Sequence, residues 1–468
     1  MRKFAIFHRL LVLLIVLSLT VVPVFGLETE EDISVTNGCR SADAKWSMLG
    51  SEQLIENCGS AMLYEIQSDT MMYAWNPDVQ VHPASLVKIM TALLVIENTS
   101  MTNAVTIRQD VLDTVSKNSI SANLIADEVM TVEDLMYCMM VASANDAAAV
   151  LADHALGSQE AFVDAMNARA EAIGCTATHF VNAHGLHDDE QVSTGRDLVR
   201  ILQEASKNEL FLKFFSAITY DMPQTNKSDA RSLVSENYLI CKKEMQYYFD
   251  SRVTGSRTGT TTAGNRNVAS IAEKNGLKFI CIITDSASYY SPNGYSVLSY
   301  GGYPETSDLL NRGFDGFVTA QPLYKDQAIR QVQVSGGESD LVLGVCDDLT
   351  AIIASNTDVK TLRFEYSSSV NSLKAPVEKG AIVGNVTLWN GNVCIGSTDL
   401  YAMNRVAVNQ VAVDDDGSGA LAVFGKILLF ILALAVAFFA VILCVRWVRI
   451  FKITKMKRTH RRSHRRSR

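Results

Sequence analysis

The sequence is poor in the residues that mark disordered and fibrous chains. Its 468 residues include only 8 prolines and 27 glycines, against a hydrophobic content of 48% and a charged content of 20%. This composition excludes low-complexity, collagen-like and intrinsically disordered architectures, because such chains have too little apolar surface to build a core. At about 150 residues per domain, the length predicts two or three domains.

Two terminal segments lack acidic residues altogether. Residues 1–26 carry three basic residues and residues 446–468 carry eleven, so all 50 acidic residues lie between these segments. The first segment contains an apolar run over 10–22 and ends with Gly26, the pattern of a secretory signal peptide that is cut after Gly26. We therefore expect an N-terminal arm over 27–44 and an exported, acidic middle, which argues against nucleic acid as a partner.

A second apolar run lies near the C-terminus. Residues 427–445 are nineteen residues without a charged side chain, enough for a helix to cross about 30 Å of hydrocarbon. We predict a transmembrane helix over 427–447, after a solvated linker over 411–426. Because basic flanks stay on the cytoplasmic side, the basic tail over 448–468 is predicted to be cytoplasmic. A nucleic-acid-binding tail is the alternative, but orientation and anionic lipid already account for its charge.

The sequence has no Cys-x-x-Cys pair, so the spacing of its nine cysteines does not predict a zinc site. Cys444 lies in the predicted span, and the other eight would face the exported side, where disulfides can form. Cys39 and Cys58 are the nearest in sequence, while Cys138 resembles a small buried residue of a helix. The pairing stays open.

The periodicity predicts one α/β (α+β) unit over 45–315, followed by a small all-β domain over 316–410. The predicted elements are a hairpin at 61–75, helices from about Ala84, over 131–155 and over 158–173, an Asn-Gly hairpin at 267–284, short strands at 331–334, 341–345 and 362–366, and an Asn-Gly hairpin at 386–395. The helix from Ala84 is apolar on every side, so we expect it to be buried.

Ser85 and Lys88 are the candidate nucleophile and base. They are three residues apart at the start of the apolar helix, hence neighbours on one face. A lysine buried there must be paired or neutral, and a neutral amine can take the proton of a serine hydroxyl. The helix N-terminus adds N–H groups that suit an oxyanion. The alternative is a lysine that extends its ammonium group to the surface.

Two further fragments carry groups that such a reaction needs. Ser143-Ala144-Asn145 follows a helical run, and Arg257-Thr258-Gly259 precedes a turn rich in threonine and glycine. A second hydroxyl can relay a proton to a leaving amine, and an asparagine can hold a substrate amide. An arginine with a threonine can bind a carboxylate. Each fragment is weak alone, but the three motifs in this order indicate an acyl-transfer site.

These motifs resemble those of the serine D-alanyl-D-alanine carboxypeptidases, the low-molecular-mass penicillin-binding proteins related to serine β-lactamases. The similar stretches are 83–92 (family PASxTKxMTA), 143–148 (SxNDAA), 180–186 and 193–197 (FxNxxGL and STAxD), 257–259 (KTG) and 375–384 (APVxKGxxVG). The resemblance covers most of the predicted exported region.

The resemblance implies a β-lactamase/DD-peptidase-like fold, with an antiparallel sheet flanked by helices, in addition to the small β domain and the transmembrane helix. It implies a hydrolase of peptidoglycan biosynthesis that removes the terminal D-Ala from stem pentapeptides and is inhibited by β-lactams. The chain would lie in a bacterial cell membrane through its single C-terminal span, with the catalytic domain outside the cytoplasm.

The resemblance also implies roles for individual residues. Ser85 would form the acyl-enzyme, Lys88 would be its base, and Ser143 would pass the proton to the departing D-Ala. Asn145 would hold the substrate backbone, and Arg257 with Thr258 would bind its carboxylate. The oxyanion would bind the N–H groups of Ser85 and Thr260. The expected substrate-binding residues are therefore Asn145, Arg257, Thr258, Gly259 and Thr260.

The sequence departs from the family pattern at three positions. Val87 replaces the usual threonine, Gln191 a histidine, and Arg257 the lysine of KTG. Arginine keeps the positive charge and can bind a carboxylate through two hydrogen bonds, and its charge is expected to help lower the pKa of Lys88.

A possible metal cluster consists of His184, His187, Asp188 and Asp189. No third ligand has helical spacing, and the proposed chemistry needs no metal, so we expect a solvated loop, no metal and no cofactor.

Two other functions remain open. The first is a β-lactamase or esterase on the same fold, although the sequence has no ExxLN-like loop between Ser143 and Arg257 to supply a water-activating glutamate. The second is a catalytically impaired cell-wall-binding protein, which the presence of Ser85 and Lys88 together with Ser143 and Asn145 argues against.

Overall fold

A computed structural model describes residues 48–50, 52–242, 245–292, 297–391, 393–409, 426–443 and 445–447. The predicted signal peptide, the N-terminal arm, nearly all of the linker and the basic tail lie outside the described residues.

The described chain alternates short strands with helices. The strands are β1 (Ser60–Glu65), β2 (Thr70–Trp75), β3 (Gln80–Val81), β4 (Ala104–Thr106), β5 (Val129–Thr131), β6 (Ser193–Thr194), β7 (Thr219–Met222), β8 (Arg231–Val234), β9 (Val253–Thr260), β10 (Arg266–Lys274), β11 (Leu277–Ser286), β12 (Tyr289–Tyr290), β13 (Val297–Ser299), β14 (Phe317–Leu323), β15 (Ala328–Val332), β16 (Leu341–Val345), β17 (Leu349–Ala354), β18 (Arg363–Tyr366), β19 (Ile382–Asn390) and β20 (Val393–Ala402). The α-helices before β14 are α1 (Val87–Asn98), α2 (Gln109–Leu112), α3 (Val132–Val141), α4 (Asn145–Leu156), α5 (Gln159–Ala172), α6 (Gly195–Ser206), α7 (Glu209–Phe215) and α8 (Tyr303–Gly316).

An antiparallel sheet of order β2-β1-β11-β10-β9 is the centre of the first part of the fold. Along β11 the buried side chains alternate between two core clusters: Ile280 and Ile282 belong to one, Cys281 and Ile283 to the other. Since successive side chains of a strand point to opposite faces, the sheet is covered on both sides. Helix α6 packs against the first face and α8 against the second. The predicted α+β fold with a helix-flanked sheet is confirmed.

The predicted hairpins match the structure closely. The turn between β10 and β11 consists of Asn275 and Gly276, with φ angles of 52° and 80°, and Lys274 pairs with Leu277 across it. Two central residues with positive φ define a type I′ turn, for which Asn-Gly is the preferred pair. The first hairpin, β1–β2, is also confirmed. The Asn-Gly pair therefore correctly predicted the hairpin β10–β11, and β10 pairs in turn with the edge strand β9.

The helix that carries Lys88 begins with a tighter turn than the sequence predicts. Residues Ala84–Leu86 form a 3-10 turn, and α1 continues from Val87. Ala84 has a φ of 50°, in the left-handed region that residues other than glycine seldom adopt. From Val87 to Val95 every residue of α1 is buried, which confirms the expected buried helix.

The prediction of a single helix over 131–155 is wrong. The structure has two helices, α3 and α4, separated by residues 142–144, and Ser143 has a φ of 61°. The apolar pattern continues across the break because the residues on both sides are buried in the same core, so periodicity does not reveal it. Thr131 closes the N-terminus of α3 through a capping box.

Between α8 and residue 409, the regular structure of the described residues consists of strands and two short 3-10 turns, in agreement with the predicted β domain. Strands β14 and β17 pair, and the remaining strands form a sheet of order β15-β16-β20-β19-β18. The chain divides into two compact units. The first comprises Met1–Pro322, Leu349–Glu365 and Thr387–Ser397, and the second comprises Leu323–Asp348, Tyr366–Val386 and Thr398–Arg468. All predicted site residues belong to the first unit.

One helix among the described residues, Lys426–Trp447, is long and apolar enough to cross a membrane, with a mean hydropathy of 3.3. It coincides with the predicted span. Among the described cysteines, these are free thiols: Cys58, Cys138, Cys175, Cys241, Cys281 and Cys346. Cys39, the suggested partner of Cys58, lies outside the described residues.

Candidate active site

The side chains of Ser85 and Lys88 meet, as their spacing predicts. Lys88 Nζ lies 3.1 Å from Ser85 Oγ, in a hydrogen bond within the first turn of the helix. Ser85 is half-buried, whereas Lys88 is completely buried. The alternative of a lysine that extends to the surface is therefore excluded.

The amine of Lys88 has two further partners, and both are pure acceptors. Nζ donates to Asn145 Oδ1 at 2.7 Å and to the backbone carbonyl of His184 at 2.5 Å. An ammonium would donate three hydrogen bonds, whereas a neutral amine donates two and keeps one lone pair. If the two carbonyl oxygens take both N–H groups of the neutral amine, its lone pair points to the hydroxyl of Ser85.

Burial and charge both favour the neutral amine. The pKa of Lys88 lies well below its ordinary value, first because of burial and second because of the nearby Arg257 guanidinium; the carboxylate of Asp146 acts in the opposite direction. Burial, and second the repulsion from Lys88 in its protonated form, lower the pKa of His184 to about 4. At neutral pH its imidazole is therefore uncharged.

The break between α3 and α4 brings Ser143 and Asn145 to the same point. Ser143 Oγ donates to Ser85 Oγ at 3.3 Å, and Asn145 is the first residue of α4. Asp146, which is buried, accepts hydrogen bonds from Ser121 Oγ and the N–H of Ala122 and so anchors the preceding loop. Sequence reasoning missed this role, although Asp146 lies within the SANDAA motif that it singled out.

Arg257 points into the protein. The residue is only 4% exposed, and its guanidinium donates to the carbonyls of Met139 and Met140 at 2.9 and 2.7 Å. It also donates to Ser143 Oγ at 2.8 Å and, more weakly, to the carbonyl of Ser85 at 3.4 Å. Burial lowers its pKa to about 10, so it remains charged at neutral pH. With four of its five N–H groups engaged, a two-pronged bond to a carboxylate would require existing bonds to break.

The residues that follow Arg257 lie at the end of the edge strand β9, beside Ser85. Thr258 is half-buried and Thr260 is exposed at the end of β9. A Cβ placed on Gly259 would lie 2.8 Å from the backbone nitrogen of Ser85. Glycine is therefore required at position 259 for the close approach of β9 to Ser85. As a result of this approach, the N–H groups of Ser85 and Thr260 belong to adjacent segments.

The loop 181–192 closes the site from the other side. A Cβ on Gly185, whose φ is 81°, would lie 2.2 Å from the carbonyl oxygen of Ala84. Gln191, buried at 2% exposure, accepts hydrogen bonds from the N–H groups of Val181 and Asn182 and so organises the loop. Gln191 therefore has a structural role where the family usually has histidine.

The predicted solvated loop is only partly correct. His184 is buried at 7% exposure, and its backbone carbonyl faces the amine of Lys88. His187 and Asp189 are exposed, and the fold brings His82 beside them, so that these three side chains could hold a metal ion. His82 was missed, because its only sequence signal is its position directly before Pro83-Ala84-Ser85.

An open cleft of about 260 Å³ adjoins the serine. It lies between the segment before Ser85, the loop 181–192 and the end of β9. Its lining residues are His82, Pro83, Ala84, Gly185, Leu186, His187, Asp188, Gln191, Thr260, Thr261 and Thr262. Chemically, the arrangement offers a hydroxyl nucleophile, a buried amine base, a second hydroxyl, a fixed cation and the backbone N–H groups of two adjacent segments.

Comparisons with known proteins identify the family of this chain. A family model for D-alanyl-D-alanine carboxypeptidases, peptidase S11, matches residues 50–288. A second model, for the C-terminal domain of penicillin-binding protein 5, matches residues 317–408.

The alignments with individual relatives include most of this chain and most of each relative. The D-alanyl-D-alanine carboxypeptidase DacA of Haemophilus influenzae is 29% identical over 359 residues, 74% of this chain and 84% of that protein. DacF of Bacillus subtilis is 27% identical over 356 residues, 74% of this chain and 85% of that protein. The crystal structure of penicillin binding protein 5 from Haemophilus influenzae superimposes with a TM-score of 0.59 at 26% identity, covering 76% of this chain and 99% of that one. The chain therefore belongs to the peptidase S11 family of D-alanyl-D-alanine carboxypeptidases.

Proposed function

We propose that this chain is a serine D-alanyl-D-alanine carboxypeptidase, which removes the terminal D-Ala from peptidoglycan stem pentapeptides through an acyl-enzyme on Ser85. The observation that carries the proposal is the environment of Lys88. Two acceptor-only groups bind its amine, and the third neighbour is the hydroxyl of Ser85.

In the acylation step, Ser85 Oγ attacks the carbonyl carbon of the D-Ala–D-Ala bond while Lys88 Nζ takes the hydroxyl proton. A depressed pKa keeps the amine neutral and able to accept that proton. The tetrahedral intermediate carries its negative charge next to the N–H groups of Ser85 and Thr260, which act as the oxyanion hole. This arrangement needs no cofactor.

Ser143 completes the proton path to the leaving group. Its Oγ accepts a hydrogen bond from Arg257, so its own proton is directed to Ser85 Oγ. When the C–N bond breaks, Ser143 donates its proton to the departing amine of D-Ala and is reprotonated from Lys88. Water then hydrolyses the ester on Ser85 and releases the shortened peptide.

Substrate binding uses the rim of the cleft. Asn145 is the candidate for the substrate backbone, and the hydroxyls of Thr258 and Thr260 are the candidates for the terminal carboxylate, with Gly259 leaving room beside Ser85. We assign Arg257 a positioning role behind these residues, because its donors already bind protein oxygens. It attracts the carboxylate through its charge and not through a direct two-pronged bond.

The proposed location is supported by the segments near both ends of the sequence. We propose a bacterial cell membrane location, with the apolar helix Lys426–Trp447 as the anchor. The N-terminal signal pattern and the basic C-terminal residues support a catalytic domain outside the cytoplasm and a cytoplasmic tail. Peptidoglycan is on that outer side, and β-lactams that mimic the acylating substrate would reach Ser85 there.

The test is release of D-Ala from a stem pentapeptide by the full chain purified in detergent. We expect turnover by the wild type and none above background by Ser85→Ala, with exposed Ser116→Ala as the matched control. Full turnover by Ser85→Ala would overturn the assignment of the nucleophile. Rapid loss of a fluorescent penicillin label would indicate a β-lactamase, and lasting label without D-Ala release an impaired enzyme.

A further inference from the structure

We propose that His82, His187 and Asp189 form a binding site for a divalent first-row transition metal such as Zn²⁺ at the rim of the active-site cleft. One possible ligand atom from each of the three side chains lies within 4.8 Å of the other two. The residues come from two separate loops, so only the fold brings them together.

The donor set suits zinc. Two imidazole nitrogens and one carboxylate oxygen, with water in the fourth position, are typical of an open tetrahedral Zn²⁺ site. Hard cations such as Mg²⁺ and Ca²⁺ instead prefer all-oxygen ligands. The rings of His82 and His187 are 4.9 Å apart at 80°, and His187 Nε2 is 3.3 Å from Asp189 Oδ1. The latter separation already equals the ligand–ligand distance of about 3.3 Å that Zn–N and Zn–O bonds of about 2 Å require.

Only a small movement is needed to close the site. The side chain of Asp189 is 96% exposed and that of His187 is 39% exposed, so both can rotate toward an ion. The same exposure gives the ion a path from solvent. By contrast, His82 is held in place: its carbonyl accepts a hydrogen bond from Asn267 Nδ2 at 2.8 Å.

The orientation of the His82 ring is set by a second contact. His82 Nδ1 lies 3.1 Å from the carbonyl oxygen of Gln191. A carbonyl can only accept, so Nδ1 carries the proton and Nε2 keeps the lone pair that a metal needs. Metal-binding histidines typically donate their other N–H to a backbone carbonyl in this way. Gln191 is itself buried and fixed by the loop 181–192.

A bound ion would act on the cleft. His82 and His187 both line it, and His82 directly precedes the segment that carries Ser85. The ion would join this segment to the loop 181–192 and narrow the entrance, so acylation of Ser85 should slow by several-fold. This second effect rests on the proposed function, whereas metal binding does not.

The test uses the full chain in detergent, freed of metal, and titrates it with Co²⁺ as a spectroscopic probe and Zn²⁺ as competitor. We expect visible d–d bands of tetrahedral Co²⁺ that Zn²⁺ removes and Mg²⁺ does not. His187→Ala and Asp189→Asn should each weaken binding at least tenfold. His154→Ala, at the end of α4 and away from the cleft, should bind as the wild type does. Asp189→Asn changes an almost fully exposed side chain and so guards against misfolding as the cause.

Absence of tetrahedral Co²⁺ bands in the wild type would overturn the site, as would equal binding by the wild type and both site variants. In the same samples, the rate of penicillin acylation is measured with and without Zn²⁺. Metal binding without slower acylation would overturn the proposed effect on the cleft. Absence of acylation in the metal-free wild type would instead be a failure of the proposed function.

Discussion

Replacing Arg257 by methionine should move the acid limb of the acylation rate to higher pH. Contacts of 2.8, 3.3 and 3.1 Å lead from the guanidinium through Ser143 Oγ and Ser85 Oγ to Lys88 Nζ. The two basic groups are thus at most about 9 Å apart, where two unit charges repel by about 2 kcal/mol at an effective dielectric constant of about 20. Removing this repulsion raises the pKa of Lys88, so more of the amine is protonated and inactive at low pH.

The magnitude is large enough to measure. An energy of about 2 kcal/mol changes an equilibrium constant by more than about tenfold, so at a pH on the acid limb Arg257→Met should acylate roughly tenfold more slowly relative to its own plateau. The assay is the second-order rate of acylation by a fluorescent penicillin across pH.

Arg257→Lys is the matched control, because it keeps the charge but loses part of the hydrogen bonding to Met139, Met140 and Ser143. We expect its acid limb to stay near that of the wild type, while the plateau falls in both variants because Ser143 is less well oriented. Coincident acid limbs for the wild type and Arg257→Met would refute the electrostatic reasoning.

Three further predictions concern stability and the shape of the site. Lys88 has a lowered pKa in the folded state, so the unfolded chain binds more protons at pH values between that pKa and the ordinary value of 10.5. The free energy of unfolding should therefore rise with pH in this range. Lys88→Met should remove this rise in urea titrations. Gly185→Ala should slow acylation more than tenfold and lower the melting temperature, since the new Cβ collides with the Ala84 carbonyl. Gly174→Ala, which has positive φ but open space, should lower only stability; equal acylation losses in the two variants would contradict this account. Thr131→Ala removes an N-cap and should destabilise the fold by about 1 kcal/mol in the same titrations.

Local sequence determined the elements that carry the site. The Asn-Gly turn at Asn275 requires only two residues with positive φ, so the hairpin behind β9 could be predicted without any tertiary information. The spacing of Ser85 and Lys88 likewise requires only one helical turn. The apolar run that became the helix Lys426–Trp447 was evident from composition alone.

Local sequence could not predict the break at Ser143. The apolar residues of α3 and α4 belong to one core, so the period continues across the change in backbone direction. That break places Ser143 next to Ser85 and Asn145 next to Lys88. The short SxN motif indicated that these side chains act together, but not how the chain brings them there.

The sequence by itself determined which chemical groups this protein has: a serine, a lysine, an arginine, a second hydroxyl and the strands and helices that carry them. Only the tertiary structure decided what each group faces. The guanidinium of Arg257, for which carboxylate binding stays a prediction, donates to the carbonyls of Met139 and Met140, and His82 lies beside His187 although about a hundred residues separate them in sequence. The physical reason is that a residue type limits the bonds a side chain can form, whereas the acceptors within reach, and the burial that changes its pKa, depend on segments distant in the chain.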